Sequence, residues 1–296
     1  MDLPVTERDI AQAEGYLAAG DYDGAAPLLE RLVELAEEYI DAECRTADDV
    51  QYFSFADAFE RLAYRRVERD PRRLVQVGAP FDRLYAALAF AYIVQQDYVS
   101  ARNALAQAVR WNPMNCAYRL DLAELYRALD DVREWAALSH SVIERASDAS
   151  SAARAYANLG EFFLDAHNAL AASGCLRTAC RLAAGDPRVT ALAERMSAER
   201  PEAAEASDEE AAAELAAQGV DASPSADVAI CLLMCASDAA QAGDRDEAAR
   251  LTVRARGLVG EDACRALVQL IRESDAELAR EQGAGAPAEG EEGADA

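Results

Sequence analysis

Histidine and cysteine carry much of the chemistry proteins do at neutral pH, and this chain holds two of the first and seven of the second. His140 and His167 stand in no paired-histidine or nucleophile-and-base spacing, so neither reads as a catalytic base or a metal ligand. Cys231 and Cys235 fall four apart on one helix face, and Cys175 and Cys180 five apart. Two thiols could begin a zinc site, but structural zinc takes four nitrogen or sulfur ligands, usually with a two-residue spacer in one pair. At helical positions these cysteines read instead as small hydrophobes. With Cys44, Cys116 and Cys264 they are odd in number and scattered, which points to reduced thiols rather than a disulfide framework.

The basic residues restrict the chemistry further, because all 29 are arginine and none is lysine. A Walker phosphate loop, a pyridoxal Schiff base and a catalytic lysine are thereby excluded, since each needs an amine that guanidinium cannot replace. No glycine-rich phosphate loop or nucleophile elbow occurs, and the abundant carboxylates read as solvated helix faces. The expectation is a protein with no catalytic residues, no metal and no cofactor, and not an enzyme. One cationic cluster breaks the acidic background: Arg61, Arg65, Arg66, Arg69, Arg72 and Arg73, interrupted by Glu68 and Asp70. It is either a surface helix with local ion pairs or a dock for an acidic segment, the chain's own linker or tail among the candidates.

Charge and hydropathy bound the partners. A formal net charge of −25 repels nucleic acid and anionic lipid headgroups, so neither nucleic acid nor membrane is expected to bind. No stretch approaches the roughly 18 apolar residues of a membrane span, and Met1 to Val5 lack the pattern of a signal peptide. The expected location is the cytoplasm.

The elements that must position any site are set by a repeat. Leu88, Ala89 and Tyr92 recur as Leu122, Ala123 and Tyr126, 34 positions on, the length of one stacked helix-turn-helix unit. From Asp82, apolar residues at helical spacing (Tyr85, Leu88, Ala89, Tyr92) lead to a turn at Gln95-Gln96-Asp97. A second helix with Ala101, Leu105 and Ala108 follows, stopped at Asn112-Pro113. Small residues at Ala89, Ala101 and Ala108 let two helices approach closely. This order of large and small residues resembles the tetratricopeptide repeat, with Ala89 in place of the commoner glycine. A second copy from Cys116 is degenerate, with Trp135 or Ala136 at the helix crossing. A third, from about Ala153, keeps Tyr156, Leu159-Gly160, Phe163, Ala172, Leu176 and Ala179.

The fold class expected is therefore all-α, an α-solenoid of stacked antiparallel helix hairpins forming a tetratricopeptide-like superhelix. Its parts are an N-terminal hairpin (1–40), an irregular helical insert (41–81) and a core array with a capping helix (82–198). An acidic disordered linker (199–225), a further hairpin plus helix (226–281) and a disordered acidic tail (282–296) complete it. The linker reading rests on alanine and acid with almost no large apolar residue, too little to offset ordering entropy, although Ser207 and Glu210 could cap a transient helix.

The resemblance also implies a site, since the family usually holds peptides on the concave face made by the first helix of each hairpin. Here that face would show Arg83, Ala86, Ala87, Phe90, Ile93 and Val94, then Ala117, Leu120, Asp121, Glu124 and Arg127. The third hairpin would add Arg154, Ala157, Asn158, Glu161, Leu164 and Asp165. Some members clamp the C-terminal carboxylate of chaperones with basic and amide groups. Ala86, Phe90 and Asp121 stand at such positions here, and an acid facing a carboxylate repels it, so a chaperone C-terminal carboxylate is not expected as partner. The apolar end near Phe90 is either covered by Phe53, Phe55 and Phe59 of the insert or free for a partner's amphipathic helix or extended peptide. The expected function is a non-catalytic scaffold for an unknown protein or peptide. A peptide- or ligand-sensing regulator that changes superhelix pitch is the second reading.

Overall fold

The structure, a computed structural model, describes residues 3–284. It is all-α apart from one short strand pair. Helices α1 (Glu7–Ala18) and α2 (Tyr22–Glu43) form the first hairpin, and α4 (Phe81–Val94) with α5 (Tyr98–Trp111) the second. The third is α6 (Cys116–Ala128) with α7 (Val132–Ile143), the fourth α8 (Ala149–Asp165) with α9 (Ala169–Ala183). These last three stack in sequence order, and α10 (Pro187–Glu199) lies across α8 and α9. The crossing alanines Ala89, Ala101 and Ala108 are fully buried or nearly so. Gly160 serves the same purpose: a Cβ there would sit 2.4 Å from Leu192 Cδ2 and 3.3 Å from Cys175 Cβ, so α8, α9 and α10 can close only around glycine.

One turn joins the helices of five hairpins. A residue in the left-handed region ends the first helix, and the next residue is an aspartate or asparagine that caps the second. The left-handed residues are Gly20, Gln96, Asp130, His167 and Gly243, with φ of 75°, 64°, 64°, 60° and 86°. The capping residues Asp21, Asp97, Asp131, Asn168 and Asp244 each accept a hydrogen bond from the third amide of the new helix. Each also donates its backbone N–H to the carbonyl five residues back, on Tyr16, Tyr92, Tyr126, Phe163 and Ala239, at 2.8–3.0 Å. The turn expected at Gln95-Gln96-Asp97 is thus this motif, and the placement of His167 in a turn is the same motif with an imidazole at its left-handed position.

The insert differs from expectation. It is not purely helical: β1 (Val50–Phe53) and β2 (Arg73–Gln76) pair in parallel, Val50 opposite Arg73, connected by α3 (Ala58–Glu68). Parallel strands need a crossover of about a dozen residues, and α3 supplies it. Phe53 and Phe55 stack at 4.8 Å, Tyr64 lies 4.6 Å from Phe53, and these rings pack with Phe59, Met114 and Leu120. The Ser54 N–H donates to the Trp111 carbonyl (2.8 Å), which fixes the insert where α5 passes into α6. That end lies one helix length from the hairpin turns, about 20 Å for a 14-residue helix.

The segment 199–225, expected as a disordered linker, is ordered. A 3-10 turn (Pro201–Ala204) leads to α11 (Asp208–Ala217), which carries the Ser207 and Glu210 capping box and lies on α9. Ala203, Ala211, Leu215 and Val220 are buried. Composition misled because the partner helix supplies what the segment lacks. A Cβ on Gly174 would fall 2.8 Å from the Ala211 carbonyl, so α11 seats backbone to backbone. Array side chains then bind its polar groups: Asn168 Nδ2 donates to Glu214 (2.7 Å), Tyr156 Oη to the Asp221 carbonyl (2.7 Å), and Thr178 and Arg181 to the Ala222 carbonyl (3.1 and 2.9 Å).

The last hairpin, α12 (Ala226–Gln241) with α13 (Arg245–Val259), keeps the shared turn but does not extend the stack. It folds back onto α3 and the start of α8, and α14 (Glu261–Ala284) covers its outer side. Arg254 lies over the Phe59 ring at 5.2 Å and donates to the Ser147 carbonyl at 3.1 Å, and Arg66 pairs with Asp227 at 2.7 Å. Residues 282–284 are the end of α14. The remainder of the expected tail, 285–296, lies outside the described residues. Among the described residues, no helix is long and apolar enough to cross a membrane.

Candidate partner-binding surface

The first helices of hairpins two to four place the expected groove residues, and two groups of them are unavailable. Ala87, Leu120, Ala157, Asn158 and Leu164 are buried, so Leu120 and Asn158 belong to the interior rather than to a binding face. Their burial follows from tight stacking: residues expected to floor a groove are gripped by the neighbouring hairpin.

Most charged groove residues are partnered across the stack. Arg154 pairs with Asp121 (3.3 Å), Arg127 with Glu161 (2.6 Å), Arg188 with Glu124 (2.5 Å), and Arg195 with Asp165 (2.5 Å). Asn158 Nδ2 donates to Glu124 (3.3 Å) and to Ser139 Oγ (3.1 Å), while its Oδ1 accepts from Arg188 (3.2 Å). Arg83 pairs with Glu7 and Glu14 of α1. Partly exposed pairs of this kind are worth about 0.2–1 kcal/mol each. Their chief effect is to use up the groups a polar peptide would have met.

The apolar end is open. Phe53, Phe55 and Phe59, one expected cover for Phe90, pack instead with Tyr64, Met114 and Leu120, held there by the Ser54 bond to Trp111. Phe90 instead meets Tyr22 at the start of α2, rings 6.5 Å apart, and remains 46% exposed. Val94, Tyr98, Val99 and Val132 are also exposed, whereas Ala86 and Ile93 are half-buried. Tyr22, Tyr98 and Val132 are equivalent, each being the residue after the capping aspartate of its turn. With Phe90, Val94 and Val99 they are apolar residues at or near the helix ends where the hairpins turn. Sequence reasoning found only the Phe90 end; the signal for Tyr22, Tyr98 and Val132 was an apolar residue directly after the capping aspartate of the first three hairpins.

A second feature had no sequence signal. Asp82 is buried, Glu60 is half-buried, and the two share one amide: Asn112 Nδ2 donates to Glu60 Oε2 (2.8 Å) and Asp82 Oδ2 (3.2 Å). Ser54 Oγ donates to Asp82 Oδ1 (3.2 Å) and the Ala79 carbonyl (2.7 Å), and the Ala56 N–H to Glu60 (2.7 Å). Burial raises both carboxyls above their ordinary range. The cluster ties insert to array and is structural.

The other candidates resolve simply. His140 Nε2 lies 3.0 Å from the Gly219 carbonyl and anchors the segment over α7. Burial pushes the Cys116 thiol up to about 12 and Cys231 to about 11, the opposite of an activated thiolate. Among the described residues, no group of three or more histidine, cysteine or acidic side chains could hold a metal. In the arginine cluster, Arg66 binds Asp227, and Arg72 holds the Asp70 carboxyl well below its ordinary range through paired hydrogen bonds. The segment 199–225 does not dock on this cluster; its Asp208 pairs with Arg177 instead (2.5 Å).

No protein-family model matches the chain, and no curated protein matches it.

Proposed function

We propose that this protein is a non-catalytic scaffold of tetratricopeptide-like hairpins that binds a protein or peptide in the cytoplasm. The observation that carries the reading is the exposed apolar patch Phe90, Val94, Tyr98 and Val99 beside the turn of the second hairpin, with Val132 at the position equivalent to Tyr98 in the third, on a stack whose polar face is already paired. An exposed apolar patch on stacked helices suits an amphipathic helix or extended segment, and a preformed surface lowers the ordering cost of binding. The partner site thereby moves from the groove floor to the turn edge, retaining Phe90 and Val94 from the sequence expectation.

The test is photo-crosslinking mass spectrometry in the native cell, comparing the natural chain with a Phe90→Arg, Val99→Asp variant. Amine reagents would find no lysine side chain. The variant is expected to keep the natural melting temperature and lose its crosslinked partners. An unchanged partner set in the folded variant would sink the proposal. A sensor that changes pitch is less well supported, because α12 and α13 brace the insert against α8.

A further inference from the structure

We propose that the exposed arginine face of α3 is the docking surface for the chain's own acidic segment 285–296. Arg61, Arg65, Arg69 and Arg73 are exposed, and none has a carboxylate within ion-pair distance among the described residues. They are neighbours: Arg61 and Arg65 lie one helical turn apart, and Arg69 follows at the left-handed end of α3 (φ 51°). Arg61 also reaches the Leu74 carbonyl (3.4 Å), beside Arg73 on β2. Four uncompensated guanidinium groups on one face are unusual on a chain of net charge −25.

The segment is complementary. It contains Glu289, Glu291, Glu292 and Asp295 and no basic residue. It is tethered to α14, which packs on α12, the helix that in turn packs on α3. Arg66 near the end of α3 meets Asp227 in the first turn of α12, and Phe59 at the start of α3 lies under Arg254 of α13, the helix paired with α12, so α12 packs along α3. In α14, Val268 and Ile271 line a cavity with Leu233, Ala236 and Ala240 of α12, which lays α14 along α12. At 24 residues against 16, α14 outruns α12 by about 12 Å, and from Ala284 twelve extended residues span at most about 40 Å, enough to return over that distance and the width of one helix to reach α3.

The same physics disfavours a separate acidic partner, which must approach the full negative charge of the chain, whereas a tethered segment acts at millimolar effective concentration. The fold already uses this pairing twice, where Asp227 and Asp208 of returning segments end on Arg66 and Arg177.

Arginine footprinting with phenylglyoxal and mass spectrometry reads the contact directly. The full chain is compared with one ending at Ala284, and exposed Arg8 and Arg245 serve as internal references. At low salt, Arg61, Arg65, Arg69 and Arg73 are expected to react roughly threefold more slowly in the full chain, the factor for a tethered site filled two-thirds of the time. The difference is expected to vanish at about 0.5 M salt, where the screening length falls to a few ångströms, and in a Glu289→Gln, Glu291→Gln, Glu292→Gln chain. Equal rates in the full and shortened chains would overturn the proposal, as would protection that survives the glutamine substitutions. Protection that grows with protein concentration would assign the contact to a second copy and overturn docking within one chain.

Discussion

The hairpin array and the segment that follows it are held to the same helices by opposite means. Hairpins two to four bury large side chains: Trp111, Trp135, Tyr156 and Phe81 are almost fully enclosed, and Phe81 lies 4.9 Å from Trp111. Each such side chain contributes roughly 1.5–3 kcal/mol by leaving water. Segment 199–225 buries little beyond Leu215 and Val220 and relies on close backbone approach at Gly174 and on hydrogen bonds from Asn168, Tyr156, Thr178 and His140. A chain poor in apolar residues can thus be ordered when a neighbour is shaped to receive it.

Substitutions should separate the two regimes. The largest effect is expected for Trp111→Ala, which opens a cavity between α5, α4 and the insert and should cost about 3–5 kcal/mol in chemical denaturation. A cost below about 1 kcal/mol would deny the array its large-side-chain core. Next, Gly174→Leu overpacks the α9 and α11 contact by about 1–3 kcal/mol. Hydrogen exchange should rise across 201–222 while α4 to α7 keep their protection; uniform loss would merge the two regimes into one.

Smaller is the effect of His140→Ala, which removes one hydrogen bond to Gly219 and should loosen the same segment by about 0.5–1.5 kcal/mol. An Asp82→Asn variant probes the junction of insert and array through pH. Both Asp82 and Glu60 are raised by burial, so the folded chain binds protons more tightly than the unfolded one. Their contribution therefore grows as pH falls from neutrality toward the ordinary carboxylate value near 4, and is a penalty above the raised values. The asparagine variant should show a flatter stability profile over that window. An unchanged profile would mean that Asp82 is ionised throughout.

The hairpins were legible because their signals are local. Leu88, Ala89 and Tyr92 repeat at a fixed interval, and short polar turns such as Gln95-Gln96-Asp97 separate the periodic stretches. The all-α class followed from these. The strands of the insert were not legible, since Val50–Phe53 and Arg73–Gln76 are each four residues long and become strands only by pairing across α3. Nor was the order of 199–225, because what stabilises it is on α9. For the site, Phe90 and Val94 were legible as an apolar end, but whether the insert covers it was not, because that depends on where β1 and α3 pack. The burial of Leu120 and Asn158 was not, because it depends on how closely the next hairpin stacks.

The return of α12 and α13 onto the insert has a mechanical consequence. A stack of hairpins joined only end to end behaves as a spring, each interface giving a little under load. Here the insert is fastened at the α5 to α6 passage, α12 is fastened to the insert, and Arg254 of α13 is fastened to Ser147 just before α8. The third hairpin is therefore spanned by a strut. Extension between α5 and α8 must break the Arg66–Asp227 and Arg254–Ser147 contacts before the stack can lengthen, which braces the middle of the molecule.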